Sequence, residues 1–307
     1  MTMMADAPGE VAAPVRAGPL WRATTAIWRA SPRLKLGLTL LLLLLALSFL
    51  EPIITHLRLE GRGPTELGTF PRLASASLQN PLGTDVFGRD LLALLMIGLR
   101  FSLMVGLIAG GLATAVAVFV ALLGGYSGGR IDYLLNTVTN AILVTPSLPI
   151  LMAVAAFVPI DLVLLALVLA FFSWPLGARI IRAQVLSLRE RPYVEFARVS
   201  GFGRFGIMFG EILPNLVPFI IVGFSYAVIG NILAETGLRL IGLGPGDVIS
   251  LGLLLNWAMT FGALAQGRYL MVLGPTVCLL LIFIALSLIN VGIEERFNPR
   301  LKGVTGN

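Results

Sequence analysis

Cysteine, histidine and lysine are nearly missing from this chain of 307 residues, and each scarcity excludes a class of function. The single cysteine, Cys278, and the single histidine, His56, exclude a disulfide framework within the chain and a metal cluster of His and Cys ligands. We interpret them as a core thiol and a loop imidazole. The only lysines, Lys35 and Lys302, each follow a leucine, which excludes the Gly-Lys-[Ser/Thr] sequence of an ATP-binding P-loop. We therefore expect no catalytic residue, metal or cofactor in this chain, and no binding of ATP through a P-loop.

Charged residues are also few, at 12% against 57% hydrophobic residues. With a mean hydropathy of +0.93, the chain has too little polar surface to cover a soluble globule. A membrane-spanning segment needs about 20 mostly apolar residues, and it must be helical because lipid offers the backbone no hydrogen-bond partner. We therefore predict an all-α membrane protein with six transmembrane helices, at about 36–55, 97–125, 133–158, 161–182, 214–238 and 269–292.

The distribution of arginine and lysine predicts the orientation, because cytoplasmic segments of membrane proteins are enriched in both. Residues 1–35 contain five basic and two acidic residues, and residues 179–211 contain six arginines. Four spans after a cytoplasmic N-terminus return the chain to the cytoplasm at 179–211, so the two observations agree. We predict a multi-pass protein of the cell membrane with both termini in the cytoplasm and with external loops at 56–96 and 239–268.

These spans divide the chain into four parts. We expect a basic cytoplasmic tail at 1–35, a first helix with its external loop at 36–95, a five-helix core at 96–295 and a cytoplasmic tail at 296–307. No small-residue cleavage site follows the first apolar run, so we expect that run to remain as a signal anchor.

Run 248–267 is uncharged, but its role stays open. Its apolar residues recur at the helical spacings of three and four, at Leu251, Leu254, Leu255, Ala258, Phe261 and Leu264–Ala265. Three glycines and the amides of Asn256 and Gln266 make membrane insertion costly. We predict an external helix that rests over the mouth of the helical bundle, with a seventh span as the alternative.

Ionisable residues are sparse inside the predicted spans, which argues against a proton-coupled pump. Asn231 and Glu235, toward the outer end of the fifth span, are candidates for a translocation path. The alternative for Glu235 is a carboxylate that is simply solvated at the membrane interface. In the third span, Pro146 and Pro149 are expected to kink the helix.

The stretch "VEFARVSGFGRFGIMFGEILPN" (194–215) contains four charged residues and four glycines, which is unusual for a connection between two spans. Pro192 can begin a short helix at little cost, because the first N–H groups of a helix are unpaired anyway. Gly201 permits a turn and leaves no side chain where a partner must approach closely. A basic interfacial loop bound to anionic lipid is the alternative.

This stretch resembles the "EAA" signature of ABC importer permeases, a cytoplasmic loop that docks into a cleft of the ATPase subunit. The matching residues are Glu195, Phe196, Ala197, Gly201, Ile212, Leu213 and Pro214. Three more segments resemble the peptide-transport branch of the family: "NPLGTDVFGRDLL" at 80–92, "ILAETGLRLIGLG" at 232–244 and "NPRLKG" at 298–303. The first of them contains the external motif residues Gly83, Thr84, Asp85, Gly88, Arg89 and Asp90.

The resemblance is to the second permease subunit of dipeptide and oligopeptide importers, whose relatives include nickel permeases. It implies the type I importer fold, with residues 191–214 as a cytoplasmic coupling helix and turn that act as a lever when ATP closes the ATPase subunits. It implies as partners a second homologous permease, two ABC ATPase subunits, an extracytoplasmic substrate-binding protein and the lipid bilayer. No nucleic acid is expected to bind.

Two departures from the family pattern concern the partners. Phe196 stands where the signature has alanine, and the Pro-Ser-Trp-Gly segment common after Gly244 is missing, which leaves the transported molecule open. A self-contained secondary transporter or channel is the alternative function, but it would leave residues 191–214 unexplained. A membrane-embedded enzyme would need clustered catalytic residues that the spans do not contain.

Overall fold

The computed structural model describes residues 31–59, 63–159, 161–246 and 248–297. Within these ranges the regular secondary structure is helical, and Thr84 and Asp90 form an isolated β-bridge. Residues 1–30 and 298–307 lie outside the described residues. They include most of the predicted tails 1–35 and 296–307, and the "NPRLKG" motif. The helices are α1 (Pro32–Phe49), α2 (Glu51–Arg58), α3 (Leu91–Ser127), α4 (Gly129–Val144), α5 (Ser147–Phe157), α6 (Leu162–Leu188), α7 (Pro192–Val199), α8 (Arg204–Leu240), α9 (Leu251–Thr260) and α10 (Leu270–Phe297).

Five of these helices, α1, α3, α6, α8 and α10, are long and apolar enough to cross a membrane. Helices α4 and α5 make a sixth span if the bent pair is counted as one. The all-α membrane architecture is therefore confirmed, with five or six candidate spans for the six predicted.

The third span is broken at its first proline. Helix α4 ends at Val144, α5 begins at Ser147, and the two axes differ in direction by 73°. Pro146 lacks an N–H group and disfavours helical geometry in the residue before it, so Thr145 is extended, with φ −70° and ψ 125°. The position of the distortion was predicted correctly, but a continuous kinked helix over 133–158 is wrong.

The first predicted span, 36–55, also consists of two helices. Helix α1 ends at Phe49, and α2 begins at Glu51 with Pro52 in its first turn. His56 lies in α2, so the loop position predicted for this residue is wrong.

Helix α3 begins six residues before the predicted start at 97 because Asp90 caps it. The Asp90 carboxylate accepts a hydrogen bond from the backbone N–H of Ala93 at 2.9 Å. The helix is 37 residues long, and the boundary expected at 95/96 falls inside it.

Glycines let α3 pack closely against α8. A Cβ atom at Gly106 would lie 2.5 Å from the Ile232 side chain, and one at Gly110 would lie 2.7 Å from the Val228 side chain. Such close approach is what small residues permit between helices in lipid. Helix α3 also packs along α6, so α3, α6 and α8 form the centre of the bundle.

Candidate functional site

A cavity of about 540 Å³ lies between α3, the broken span α4–α5, α6 and α8. A volume of this size suits a small organic solute. Its polar lining consists of hydroxyl, indole and amide side chains, from Thr114, Thr145, Ser147, Ser173, Trp174, Tyr226 and Asn231. The rest of the lining is glycine and apolar side chains, and within the described part of the chain no charged residue faces it. The wall can therefore contact a solute without pairing with an ionic group.

The two residues predicted for a translocation path occupy different environments. Asn231 lines the cavity, whereas Glu235, one helical turn further along α8, is not among the residues that line it. Glu235 is fully buried at 0% exposure and accepts a hydrogen bond from the Ser102 hydroxyl at 3.4 Å. The interpretation of Glu235 as a simply solvated carboxylate is therefore wrong.

Arg239, which was not predicted as a site residue from the sequence, lies beside Glu235. Its Nε atom lies 3.6 Å from Glu235 Oε1, and its side chain is 3% exposed. The guanidinium donates to the backbone carbonyls of Pro245 and, at 2.8 Å, of Val248. The spacing of four between Glu235 and Arg239 on one helix is the sequence signal that could have indicated the pair.

The motif at 83–90, which the sequence predicts to be external, folds around the carboxylate of Asp85. This carboxylate accepts hydrogen bonds from the backbone N–H groups of Phe87 and Arg89, both at 2.9 Å, and from Arg89 Nε at 2.8 Å. Gly83 and Gly88 have φ values of 79° and 76°, in the left-handed region that favours glycine. The motif is therefore a rigid turn that ends at Asp90, the cap of α3.

Helix α9 packs on this motif through aromatic side chains. The Arg89 guanidinium lies 4.7 Å from the Phe87 ring centroid and 4.4 Å from that of Trp257 in α9. The Phe87 ring also meets Phe261 edge to face, with centroids 5.3 Å apart. The loops predicted at 56–96 and 239–268 thus meet in one surface.

Helix α9 itself is ten residues long, which corresponds to about 15 Å, half of the hydrocarbon thickness. It is too short to be a seventh span. Leu251, Leu254 and Ala258 of the predicted apolar stripe are buried. The part of the predicted apolar stripe beyond Thr260 is wrong, because the helix ends at Thr260 and Leu264 is 50% exposed.

Residues 191–214 form a short helix, a turn and the start of a long helix. Helix α7 buries Val194 and Ala197, and Gly201 follows it with a φ of 82°. The first turns of α8 contain a π-helical stretch, Ile207–Ile212, which the sequence analysis did not predict. Burial and, after it, the Glu211 carboxylate raise the pKa of Tyr193.

The outward face of this segment is aromatic. Phe196, Phe202 and Phe205 are 76%, 56% and 71% exposed, and Phe205 stacks on Phe209 with the ring centroids 6.5 Å apart. A Cβ atom at Gly201 would meet no described atom within 4 Å, apart from those of its chain neighbours. Of the other predicted coupling residues, Glu195 and Pro214 are exposed, Leu213 is half-buried, and Ala197 and Ile212 are buried. Exposed apolar groups beside open glycines are typical of a protein–protein contact surface.

These features define a class of protein. Membrane-spanning helices enclose a cavity with an uncharged lining, and the described residues contain no group of three or more His, Cys, Asp or Glu side chains suited to a metal. Membrane-spanning helices that surround a cavity of this kind are typical of a membrane transport subunit.

The chain belongs to the family of binding-protein-dependent transport system inner membrane components, whose sequence pattern matches residues 113–303. It is 32% identical over 234 residues to the oligopeptide transport system permease protein OppC of Mycobacterium tuberculosis strain H37Rv, a match that covers 73% of this chain and 79% of the relative. It is 34% identical over 188 residues to OppC of Lactococcus lactis subsp. cremoris, which covers 61% of this chain and 64% of the relative. The chain is thus a multi-pass inner-membrane permease subunit of a binding-protein-dependent ABC importer, and it is not an enzyme.

Proposed function

We propose that this permease forms half of the translocation pathway of an importer for peptides, and that residues 191–214 couple it to a separate ATPase subunit. A second homologous permease supplies the other half, two ATPase subunits supply the energy, and an extracytoplasmic binding protein delivers the substrate. In this arrangement the basic tail 1–35, the 191–214 segment and the C-terminal tail 296–307 lie in the cytoplasm.

The exposed aromatic face of the 191–214 segment is the observation that supports coupling. Burying a side chain of the size of Phe196 is worth about 1.5–3 kcal/mol, so a partner gains from covering it. Gly201 and Gly203 allow the backbone of that partner to approach. The partner is an ATPase subunit, because the chain lacks a P-loop and belongs to a family of binding-protein-dependent transporters.

The same segment connects two walls of the cavity. Helix α6, with Trp174, leads into α7, and α8, with Asn231, leads out of the turn. A displacement of the segment therefore acts on both helices at once. An ATPase that binds the segment differently in its two states would shift the packing of the cavity walls, which is how a difference in contact free energy becomes transport.

The cavity lining favours an organic substrate over a free metal cation. Cations such as nickel bind imidazole, thiolate and carboxylate groups, and within the described residues none of these lines the cavity. Hydroxyl and amide groups such as those of Thr114 and Asn231 can instead hydrogen-bond to peptide groups. The two relatives compared above are both named as oligopeptide permeases, which supports the same choice.

Replacement of Gly201 by tryptophan tests the coupling. The larger side chain should block the close contact, so the permease is expressed and inserted normally but fails to co-purify with its ATPase subunits or to stimulate ATP hydrolysis. Gly68→Trp is the matched control, because Gly68 also has a positive φ, 72°, and open surroundings, but lies in the predicted external loop. A Gly201→Trp complex that assembles and hydrolyses ATP like the parent would contradict the proposal.

A further inference from the structure

A buried polar cluster joins the end of α8 that is farthest from residues 191–214 to α3 and to the segment before α9. Glu235 accepts hydrogen bonds from Ser102 of α3 at 3.4 Å and from Thr236 at 3.5 Å. Ser102 in turn accepts a hydrogen bond from the backbone N–H of Leu251 at 3.2 Å. The cluster, here named the polar clamp, consists of Ser102, Glu235 and Arg239.

Arg239 extends the clamp to the connection between α8 and α9. Its hydrogen bonds to the carbonyls of Pro245 and Val248 hold this connection against the end of α8. Its guanidinium carbon also lies 5.8 Å from the ring centroid of Phe101 in α3. One side chain thus contacts α3 and the α8–α9 connection while it pairs with Glu235.

The backbone at the start of α9 packs tightly against α3 and α8 beside the polar clamp. A Cβ atom at Gly252 would lie 2.8 Å from Thr236 Cα and from Arg239 Cβ, and one at Gly98 would lie 3.2 Å from the backbone nitrogen of Leu251. The start of α9 therefore has no room to shift between α3 and α8. Its other end contains Trp257, which packs on the external motif.

Stability alone gives a weak reason for such a cluster. A buried ion pair adds little to stability over well-packed apolar residues, but removal of one partner is costly because the other charge stays buried. A buried polar cluster that links several elements instead holds them in one mutual arrangement. Here the cluster holds together α3, α8 and the start of α9. Helix α8 is helical from Arg204 to Leu240.

We propose that the polar clamp transmits docking of the binding protein from α9 to α8, and through α8 to residues 191–214. Glu235 and Arg239 are positioning residues in this role, and they do not contact the transported solute. The proposal rests on the proposed function, since it takes residues 191–214 as the contact with the ATPase.

The test uses the assembled importer in proteoliposomes, with ATP hydrolysis measured in the absence and presence of the binding protein loaded with an oligopeptide. Ser102→Ala removes the hydroxyl that links Glu235 to the N–H of Leu251, and Glu235→Gln removes the charge that pairs with Arg239. Ser225→Ala is the matched control, because Ser225 is a buried serine of α8 whose hydroxyl donates to a carbonyl of its own helix, that of Ile221.

We expect all three complexes to keep the basal rate of ATP hydrolysis. Stimulation by the loaded binding protein should fall roughly threefold to tenfold in Ser102→Ala, as for one lost hydrogen bond. It should fall more than about tenfold in Glu235→Gln, which leaves the Arg239 charge buried without its counter-charge, and it should stay unchanged in Ser225→Ala. Full stimulation of Ser102→Ala, or an equal loss of its basal and stimulated rates, overturns the proposal, whether or not Glu235→Gln assembles.

A second measurement separates this proposal from the proposed function, because it needs no ATPase. Ile249, at 8% exposure, lies in the connection that the clamp holds, and a cysteine is introduced there after Cys278→Ser. Its reaction with a polar thiol reagent should be slow in the parent and about threefold or more faster with Ser102→Ala. Equal rates overturn the clamp, whereas faster reaction together with a failure of the Gly201→Trp test overturns only the coupling assignment.

Discussion

The guanidinium of Arg89 lies 4.4 Å from the centroid of the Trp257 ring, and this contact joins the external motif to α9. Phe87 meets the same tryptophan edge to face, with the ring centroids 5.7 Å apart. Two segments that are far apart in the sequence therefore form one surface on the face that we assign to the binding protein. The Asp85 carboxylate stabilises this surface because it pairs with Arg89.

Arg89→Met is expected to destabilise the permease. Asp85 is 2% exposed, and its charge would remain buried without a cation, which costs about 3–5 kcal/mol. Thermal unfolding of the purified protein in detergent measures the effect, with the exposed Arg72→Met as the control. The double variant Asp85→Asn/Arg89→Met should recover part of the loss, and a double variant less stable than Arg89→Met would contradict this account of the pair.

Two adjacent glycines of α3 should respond in opposite ways to alanine. A Cβ atom at Gly110 would lie 2.7 Å from the Val228 side chain, so Gly110→Ala should separate α3 from α8 at a cost of about 1–3 kcal/mol. Gly111 has nothing within 4 Å of such an atom, and Gly111→Ala should be neutral or stabilise the helix by up to about 1 kcal/mol. The midpoint of thermal unfolding distinguishes them. Equal midpoints for the two variants would be inconsistent with the packing.

The pair of Arg182 and Asp132 should fix α4 against α6. Arg182 donates two hydrogen bonds to the Asp132 carboxylate, but the two side chains are 29% and 18% exposed, so solvent weakens the pair. Arg182→Ala should therefore cost only about 1 kcal/mol of stability. The stability of Arg182→Lys should lie between that of Arg182→Ala and that of the parent, because lysine retains the charge without the bidentate geometry. An Arg182→Ala variant no less stable than the exposed control Arg130→Ala would refute the role.

The polar edge of the external surface should contribute to docking. Asn256 donates to the carbonyl of Leu240 at 2.9 Å, and Gln266, beyond the end of α9, donates to that of Phe261 at 2.6 Å. Asn256→Arg and Gln266→Glu should each lower stimulation by the binding protein by about threefold or more, because a local hydrogen bond is lost and a charge is added. The basal ATP hydrolysis of the complex should not change. Undiminished stimulation in both variants would remove this edge from the docking surface.

The orientation can be checked with cysteines after Cys278→Ser. Thr65 and Ser187 are both exposed, and arginine placement puts them on opposite sides of the membrane. A cysteine at Thr65 should react with an impermeant thiol reagent in intact cells, and one at Ser187 only after the membrane is opened. The reverse pattern would invert the topology.

Much of the architecture could be predicted, because lipid imposes strong rules on sequence. Uncharged runs indicated the spans, and glycines among charges indicated the helix and turn at 191–214. Breaker residues and amides indicated that α9 does not span the membrane, and its ten residues agree with this. Each of these signals is local, so a single stretch of sequence contains it.

What could not be predicted depends on contacts between distant segments. Glu235 is buried against Ser102 of a distant helix, α3, and the sequence alone shows only a carboxylate near a span end. The apolar period of α9 continues past its end, because periodicity does not show that the chain turns at Gly262, where φ is 62°. Pro146 indicated a distortion, but the angle of 73° is set by the packing around it.

The most direct test of the central claim is a cross-link between Phe196 and the ATPase subunit. A cysteine introduced at Phe196, 76% exposed, is combined with Cys278→Ser and treated with a short cysteine–lysine cross-linker in the assembled complex. A cysteine at Leu78, fully exposed in the predicted external loop, is the control. We predict a permease–ATPase adduct from position 196 whose yield changes when ATP is added, and none from position 78. No adduct from position 196, or equal adducts from both positions, would contradict the assignment of residues 191–214 as the coupling segment.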